Sequence, residues 1–521
     1  MHNETILLLS AEIVLVVTAV TIYLAGAMFS APRLWRWLAG AGLALSALAL
    51  WRLGNTADPG GPLLVDPLAC YGRWLALAVG AILLLLGARP LATGGTAEYL
   101  GTLLLVLAGL MLAAAAADLV LLLVSLELIS IPTYILLYMG RRDPAAQEAA
   151  AKYFFLSILA SAMMLYGFSF LYGATGSMQL ATIRSVLASP DVMPAGFALL
   201  LKLALVLIFA GLSFRVAAVP FHFYAPDVYQ GTTHGNAALL SVLPKAAGLL
   251  VLVRLLLTAM PGLPPHAWDP DAWRIALALA VLTMTVGNVL ALWQDNLRRL
   301  LAYSSIANAG YMLLGLAVAL AGSAAPSRWD GIAAMLFYLA VYAAATLGTF
   351  AALVYLGQQR QPVEAIDELA GLGRTRPLAA AAVALFMFSL AGLPPLAGLW
   401  GKLLVFGSAL SVEAATGGPL RPWFVAAAIV GVFNAAVAAV YYLRIVAIMY
   451  FRTPLATPKA QGGPGPWVAT MLCAILVLAL GVFPGPLMRA AQSASPTAEK
   501  LSISGTLRVS DTLKHAAPRS P

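Results

Sequence analysis

Charge is the scarcest commodity in this sequence. Of 521 residues only 10% are Asp, Glu, Lys or Arg, whereas an ordinary soluble domain carries about 25%. Apolar residues make up 62%, and a mean hydropathy of +0.90 spreads the excess over the whole length. That combination excludes a soluble enzyme, a disordered chain and a single-pass receptor. Cysteine occurs twice, at Cys70 and Cys473, with no CxxC and no Cys/His cluster, so no ligand set for zinc, c-type haem or an iron–sulfur cluster is expected here. Basic residues exceed acidic ones by 30 to 21, a net charge of +9, but they stand singly or in pairs at the ends of apolar runs. A basic stripe interleaved with aromatics is missing, so the excess is not a nucleic-acid footprint. The first apolar run follows Met1-His2-Asn3-Glu4-Thr5 without a positive leader, and we expect it to be retained rather than cleaved.

What is present is a series of apolar runs. A helix needs about 20 apolar residues to cross roughly 30 Å of hydrocarbon. Fourteen such segments are predicted, at about 5–28, 34–52, 69–88, 98–116, 119–139, 145–173, 197–219, 234–259, 274–293, 300–321, 332–356, 377–411, 423–451 and 467–488. Breaker clusters separate them, among them Asp58-Pro59-Gly60-Gly61-Pro62, Pro261-Gly262-Leu263-Pro264-Pro265 and Gly462-Gly463-Pro464-Gly465-Pro466. Residues 490–521 turn polar and read as a mobile tail. The expected fold class is an all-α polytopic membrane protein.

Lys and Arg in short loops set orientation. With the amino terminus outside, the inner connections hold Arg33, Arg36, Arg89, Arg141, Arg142, Arg298, Arg299, Arg360, Arg374, Arg376, Arg452 and Lys459. The outer ones hold Arg52, Arg184, Arg274, Arg328 and Arg421. This asymmetry places both termini on the outer side.

Ionisable residues inside spans are costly and point to function. Lys152, Lys202, Lys245 and Lys402 all fall in apolar segments, and Glu127 sits mid-span in Leu126-Glu127-Leu128. Arg215, His222 and Asn308 add polar capacity. Lys202 and Glu12 lie near span ends and read as structural. Glu127 and Lys152 lie on consecutive spans joined by Arg141-Arg142-Asp143-Pro144, so a hairpin is expected to pair them. Such a pair holds both charges in low dielectric, and opening it would drive the lysine towards neutrality, which is a proton-loading switch.

Two spans read as broken. Segment 377–411 would measure about 52 Å as one helix, and Gly392-Leu393-Pro394-Pro395 interrupts it just before Lys402. Arg215 is likewise followed by Val219-Pro220-Phe221-His222 and then Ala225-Pro226-Asp227. Discontinuous helices at membrane depth often mark ion sites. The breaks fall five spans apart, in the seventh and twelfth segments, which implies two five-helix repeats with the second inverted. The expected division is a three-helix region at 1–97, repeats at 98–259 and 260–453, a last helix at 454–489 and the tail at 490–521.

Several of these stretches form a series. Phe214-Arg215-Val216-Ala217-Ala218-Val219-Pro220-Phe221-His222 precedes Pro226-Asp227-Val228-Tyr229-Gln230-Gly231. Around them stand Leu126-Glu127-Leu128-Ile129-Ser130, Lys152-Tyr153, Pro244-Lys245-Ala246-Ala247, Gly287-Asn288, Leu301-Ala302-Tyr303-Ser304-Ser305-Ile306, Ala309-Gly310-Tyr311 and Leu390-Ala391-Gly392-Leu393-Pro394-Pro395 with Gly401-Lys402. In order and spacing, from about residue 98 to 450, the series resembles subunit N of respiratory complex I, NADH–quinone oxidoreductase.

The resemblance implies an antiporter-like subunit of the membrane arm in a bacterial inner membrane. Its partners would be other membrane-arm subunits, including further antiporter-like ones, and the lipid bilayer. It would couple electron transfer elsewhere in the complex to proton movement here. NADH, FMN, iron–sulfur clusters and quinone would sit in other subunits, and this chain would bind no cofactor or metal and hold no catalytic residue for redox chemistry. By resemblance Glu127 is the fifth-helix glutamate that partners a lysine. Lys245 is then the central lysine, and Lys402 the lysine that exchanges protons with the outer side. Two positions depart from the family: Arg215 stands where lysine is usual and Asn308 where histidine is usual. Arginine stays protonated and asparagine does not titrate, so both changes remove a proton-loading group. His234, in Gly231-Thr232-Thr233-His234-Gly235, adds an imidazole as a possible substitute. The expected proton-transfer residues are therefore Glu127, Lys152, Lys245 and Lys402. Arg215, His222, His234, Asn308 and Asp227 are expected to line the route, and Pro220, Pro394 and Pro395 to break helices. Two alternatives remain at this stage: an Mrp-type or stand-alone cation/proton antiporter, and a non-pumping structural paralogue.

Overall fold

The computed structural model describes residues 2–53, 62–87, 95–141, 143–188, 197–259, 272–321, 330–357, 362–412, 420–454 and 460–496. The breaker clusters at 58–61 and 261–265, residues 497–521 of the tail, and Arg89, Arg142, Arg328, Arg360 and Lys459 lie outside the described residues. The architecture is all-α. A short helix, His2–Leu8, leads into α1 (Ser10–Met28), α2 (Pro32–Leu53), α3 (Pro67–Leu86), α4 (Thr96–Ala115), α5 (Leu119–Gly140) and α6 (Pro144–Thr175). The seventh span is split into α7 (Phe197–Val216) and α8 (Tyr224–Gly231). Then come α9 (His234–Val253), α10 (Ala272–Ala291), α11 (Leu297–Leu320) and α12 (Gly331–Leu356). The twelfth span is split into α13 (Pro377–Ala391) and α14 (Ala397–Leu410), followed by α15 (Arg421–Phe451), α16 (Pro464–Val482) and α17 (Gly485–Ala494).

Among the described residues, thirteen helices are long and apolar enough to cross a membrane. The halves α13 and α14, with 15 and 14 residues, each fall short of a bilayer alone and make the fourteenth span together. Local chemistry explains where helices begin. Asp66, Asp118, Asp143, Asn296 and Asp330 each sit at an N-cap and accept a backbone N–H from the first turn. Pro67 and Pro144 occupy first-turn positions where no N–H is needed. The last span ends earlier than its apolar run implies. Pro484 stops it after Val482, and α17 starts afresh, so the stretch from 490 is helical as far as Ala494 instead of a tail.

The connections sort onto two faces. Arg298 reaches Glu364 (2.5 Å) and the carbonyl of Thr232, and Arg141 reaches Asp143 (2.6 Å) and Glu364 (3.2 Å). The links between spans five and six, seven and eight, nine and ten, and eleven and twelve therefore share one face, here called the arginine face. On the opposite face Leu64 N–H donates to Ala115, Leu119 to Met178 and Leu180 to Ala117, joining the links after spans two, four and six.

At the centre, α9, α11 and α12 are almost wholly surrounded by protein. Helices α10 and α11 touch through glycine. A Cβ on Gly287 would come 2.6 Å from Ala307 N, and one on Gly310 would overlap Met284 N. Gly398, opening α14, sits against the Ser389 carbonyl so closely that any Cβ would overlap it. Gly398→Ala is expected to cost at least about 1–3 kcal/mol and deplete assembled protein in membranes. Native-gel quantification checks this, and wild-type amounts would show that the break tolerates a side chain.

A buried line of charged and polar side chains

Among the buried cationic side chains, Arg215, Lys245 and Lys402 follow one another through the middle of the helical body. The first, Arg215, ends α7 with its side chain 1% exposed. Its Nη2 donates to Glu127 Oε1 on α5 (2.9 Å) and to Ser161 Oγ on α6 (2.9 Å), and its Nη1 to the Leu126 carbonyl (3.3 Å). Ser161 Oγ also donates to Glu127 in a short hydrogen bond. Three helices thus converge on one ion pair whose geometry satisfies both charges.

The second is Lys245 on α9, which packs directly against the end of α7: a Cβ on Gly248 would lie 3.1 Å from Arg215 Cβ. Lys245 is 2% exposed and its Nζ donates to the Ser305 carbonyl on α11 (2.7 Å). The Ser305 hydroxyl accepts from Tyr342 on α12 (2.7 Å) and is 3.5 Å from the Tyr229 hydroxyl. One residue earlier, Ser304 Oγ shares a short hydrogen bond with the Tyr442 hydroxyl on α15. Asn308 Nδ2 donates to the Ser304 carbonyl (2.8 Å) and to Tyr442 (3.3 Å), while Asn308 Oδ1 accepts from Tyr338 (2.5 Å).

The third is Lys402 on α14. The Tyr338 ring packs against Gly401 beside it, and the Tyr311 ring lies 5.3 Å from Lys402 Nζ, close enough for a cation–π contact. The ammonium donates to the carbonyls of Leu390 (2.8 Å) and Ala391 (2.9 Å). These are last-turn carbonyls of α13, the negative end of a helix dipole exposed by the break at Gly392–Leu396. A broken helix therefore creates the acceptor that holds this buried cation. Beyond Tyr311, Asn288, Tyr441 and Asn434 continue the polar contacts at 2.9–3.4 Å.

A family profile described as NADH:quinone oxidoreductase/Mrp antiporter, transmembrane, matches residues 116–431, the segment that carries Glu127, Arg215, Lys245, Asn308 and Lys402. The chain belongs to that family. It is 39% identical over 500 residues to an NADH-quinone oxidoreductase subunit N of Rhizorhabdus wittichii, covering 93% of this chain and 96% of the relative. A chain of respiratory complex I from Thermus thermophilus superposes with a TM-score of 0.75 at 34% identity, covering 92% of this chain and 99% of that one. A chain of the Mrp complex from Dietzia sp. DQ12-45-1b has the same TM-score at 22% identity, covering 95% and 97%, and shares the fold.

Against this family framework, the structure rearranges one pairing. Glu127 does not meet Lys152. It lies about 20 Å along α5 from Gly140, whereas Lys152 lies only about 12 Å along α6 from Pro144, so the hairpin aligns Glu127 with Ser161 instead. Lys152 belongs to the arginine face: its side chain is 41% exposed and pairs with Glu148 (2.6 Å) and Asp227 (2.9 Å). Asp227 also takes Arg299 (2.6 Å), so it completes a charge cluster at the span's end. His222 sits in the break between α7 and α8, beyond the cis peptide at Pro220, and its carbonyl accepts from Ala225 N–H. His234 opens α9, and its Nε2 bonds the Val363 carbonyl at 2.9 Å. That position on the arginine face is several turns before Lys245, so His234 does not stand in for Asn308.

Ser161, Ser305, Tyr338, Tyr342 and Tyr442 were not singled out from the sequence as site residues. Tyr338 and Tyr342 had a readable signal, two hydroxyls at i and i+4 on one face of an apolar helix. Arg73 and Arg254 were also missed. Arg73, wholly buried, lies 2.7 Å from Glu12, which ties α3 to α1.

Proposed function

We propose that this chain is the N-type antiporter-like subunit in the membrane arm of a bacterial NADH:quinone oxidoreductase, and that it moves protons along the Glu127–Arg215, Lys245 and Lys402 line. The carrying observation is that line itself: a buried ion pair packed against the helix of Lys245, and hydroxyl and amide groups between the helices of Lys245 and Lys402, with a helix break beside each end. Loading begins at Glu127, the titratable partner of the pair, because Arg215 holds its proton at any accessible pH. Arg215 is then a fixed charge that biases Glu127 and Lys245. Lys245 and Lys402, desolvated and hydrogen-bonded to carbonyl oxygens without a carboxylate partner, can lose a proton without leaving a buried anion. Lys152 and Asp227 gather protons at the arginine face, which we assign to the inside, with both termini outside. Electron transfer from NADH through flavin and iron–sulfur centres to quinone belongs to partner subunits.

Purification under mild detergent tests the assignment. The chain should co-purify with flavin and iron–sulfur subunits that oxidise NADH. Isolation as a complex of antiporter-like chains without NADH oxidation would favour an Mrp-type exchanger instead. Arg215 and Asn308 favour one further reading, a subunit that holds the arm together without pumping.

A further inference from the structure

Lys245 has two directions in which to pass a proton: sideways along α11, or on along its own helix to the face opposite the arginine face. We propose that Arg254, clamped on Asp66, seals that second direction against protons. This rests on the reading of Lys245 as a proton carrier.

From Lys245 to Arg254 is nine residues, about 14 Å along the helix axis. The last five before Arg254, Leu249 to Val253, are apolar, and none is more than 1% exposed. Helix α3 closes tightly over them. A Cβ on Gly72 would lie 2.6 Å from Ala114 Cβ and 2.9 Å from Leu250 Cδ1, so the helices are in close apolar contact here. Arg254 lies directly above it, at the start of a π-helical turn, Arg254–Ala259, that follows α9.

Its side chain is fully buried. Nε and Nη2 donate to the Ala114 carbonyl (3.0 and 2.7 Å), Nη1 to Asp66 Oδ2 (2.6 Å), and Nη2 to Asp66 Oδ1 (2.5 Å) and the Leu64 carbonyl (3.4 Å). Asp66 is 26% exposed, so the pair is oriented with its carboxylate outward and its cation inward. A guanidinium neither accepts nor gives up a proton, so it cannot extend a relay from Lys245. Its inward charge also repels an approaching proton, as arginine does in proton-excluding pores. The route left open is the sideways one, through Ser305 and Tyr338 towards Lys402.

The test uses the whole complex in proteoliposomes, reading passive proton influx after a pH step without NADH, and protons moved per electron with NADH. Arg254→Gln with Asp66→Asn removes both charges while keeping an amide for the Ala114 carbonyl and a side chain able to cap α3. Passive influx should rise severalfold and protons per electron should fall, with uncoupled NADH:quinone turnover retained. Adding Lys245→Ala should return the influx to the wild-type level, because the leak runs through that amine. Arg254→Lys replaces the guanidinium with an amine able to carry a proton, so it should leak as well. Wild-type permeability in the assembled double variant overturns the proposal, as does a leak that survives Lys245→Ala. Should the double variant fail to assemble, wild-type permeability in assembled Arg254→Lys overturns it equally. A Lys245→Ala complex that pumps normally withdraws the carrier reading itself, and the seal with it.

Discussion

Lys402→Ala is expected to lower coupled proton translocation about tenfold or more while the complex still assembles, because a buried charge at membrane depth is kept for transport. The ammonium of Lys402 bonds the terminal carbonyls of Leu390 and Ala391 and lies beside the Tyr311 ring. Removing it costs packing and one counter-charge to the α13 dipole, an effect of about 0.3–2 kcal/mol that a fourteen-span subunit can absorb. Lys402→Arg separates the two roles. Arginine keeps the charge and the hydrogen bonds yet does not release a proton, so it should restore full assembly and leave translocation as low as in the alanine variant. Dye quenching in inverted vesicles, normalised to complex on native gels, measures both. Pumping by Lys402→Arg at the wild-type rate would show that Lys402 is only a charge.

Glu127→Ala should have the largest effect on stability. It leaves the Arg215 guanidinium buried against Ser161 and the Leu126 carbonyl without its anion. Breaking a buried pair in this way costs about 3–5 kcal/mol, and the partial exposure of Glu127 places the expected value towards the lower figure. Arg215→Met added to Glu127→Ala should recover most of the assembled protein, since no unpaired charge then remains. Neither variant should pump. Thermal retention of assembled complex, compared across the two single variants and the double, checks the coupling. Simple additivity would mean that the two side chains do not act as a pair.

The span count, both helix breaks and two of the four lysines placed inside spans, Lys245 and Lys402, were legible in the sequence because each is a local signal, whereas Lys152 is half-exposed and Lys202 exposed. An apolar run, a Gly-Leu-Pro-Pro, or a lysine amid leucines needs no knowledge of neighbours. The partner of Glu127 was not legible in the same way. It depends on how far along each helix a residue lies, and Lys152 is about one and a half turns too close to its loop. Nor was the hydroxyl line through Ser305, Tyr338 and Tyr442, whose members come from three helices and converge only when α11, α12 and α15 pack. Arg254 shows a third kind of miss. Five residues inside the end of the 234–259 run it reads as an arginine that snorkels to the membrane border, and only the folded chain shows it turned inward, fully buried on Asp66. The last break, at Pro484, was hidden because the residues on both sides of it are apolar.

A complex carrying Lys245→Ala, reconstituted and driven by NADH, bears on the whole line through the number of protons it moves per electron. Lys245 is fully inside the protein, touches no other charged group and donates to one carbonyl, so its loss removes the middle of the line and little else. The account predicts a lower ratio than in the wild-type complex, by the share this subunit carries, with assembly intact. An unchanged ratio in a fully assembled complex would contradict it and leave this chain as a structural member of the arm.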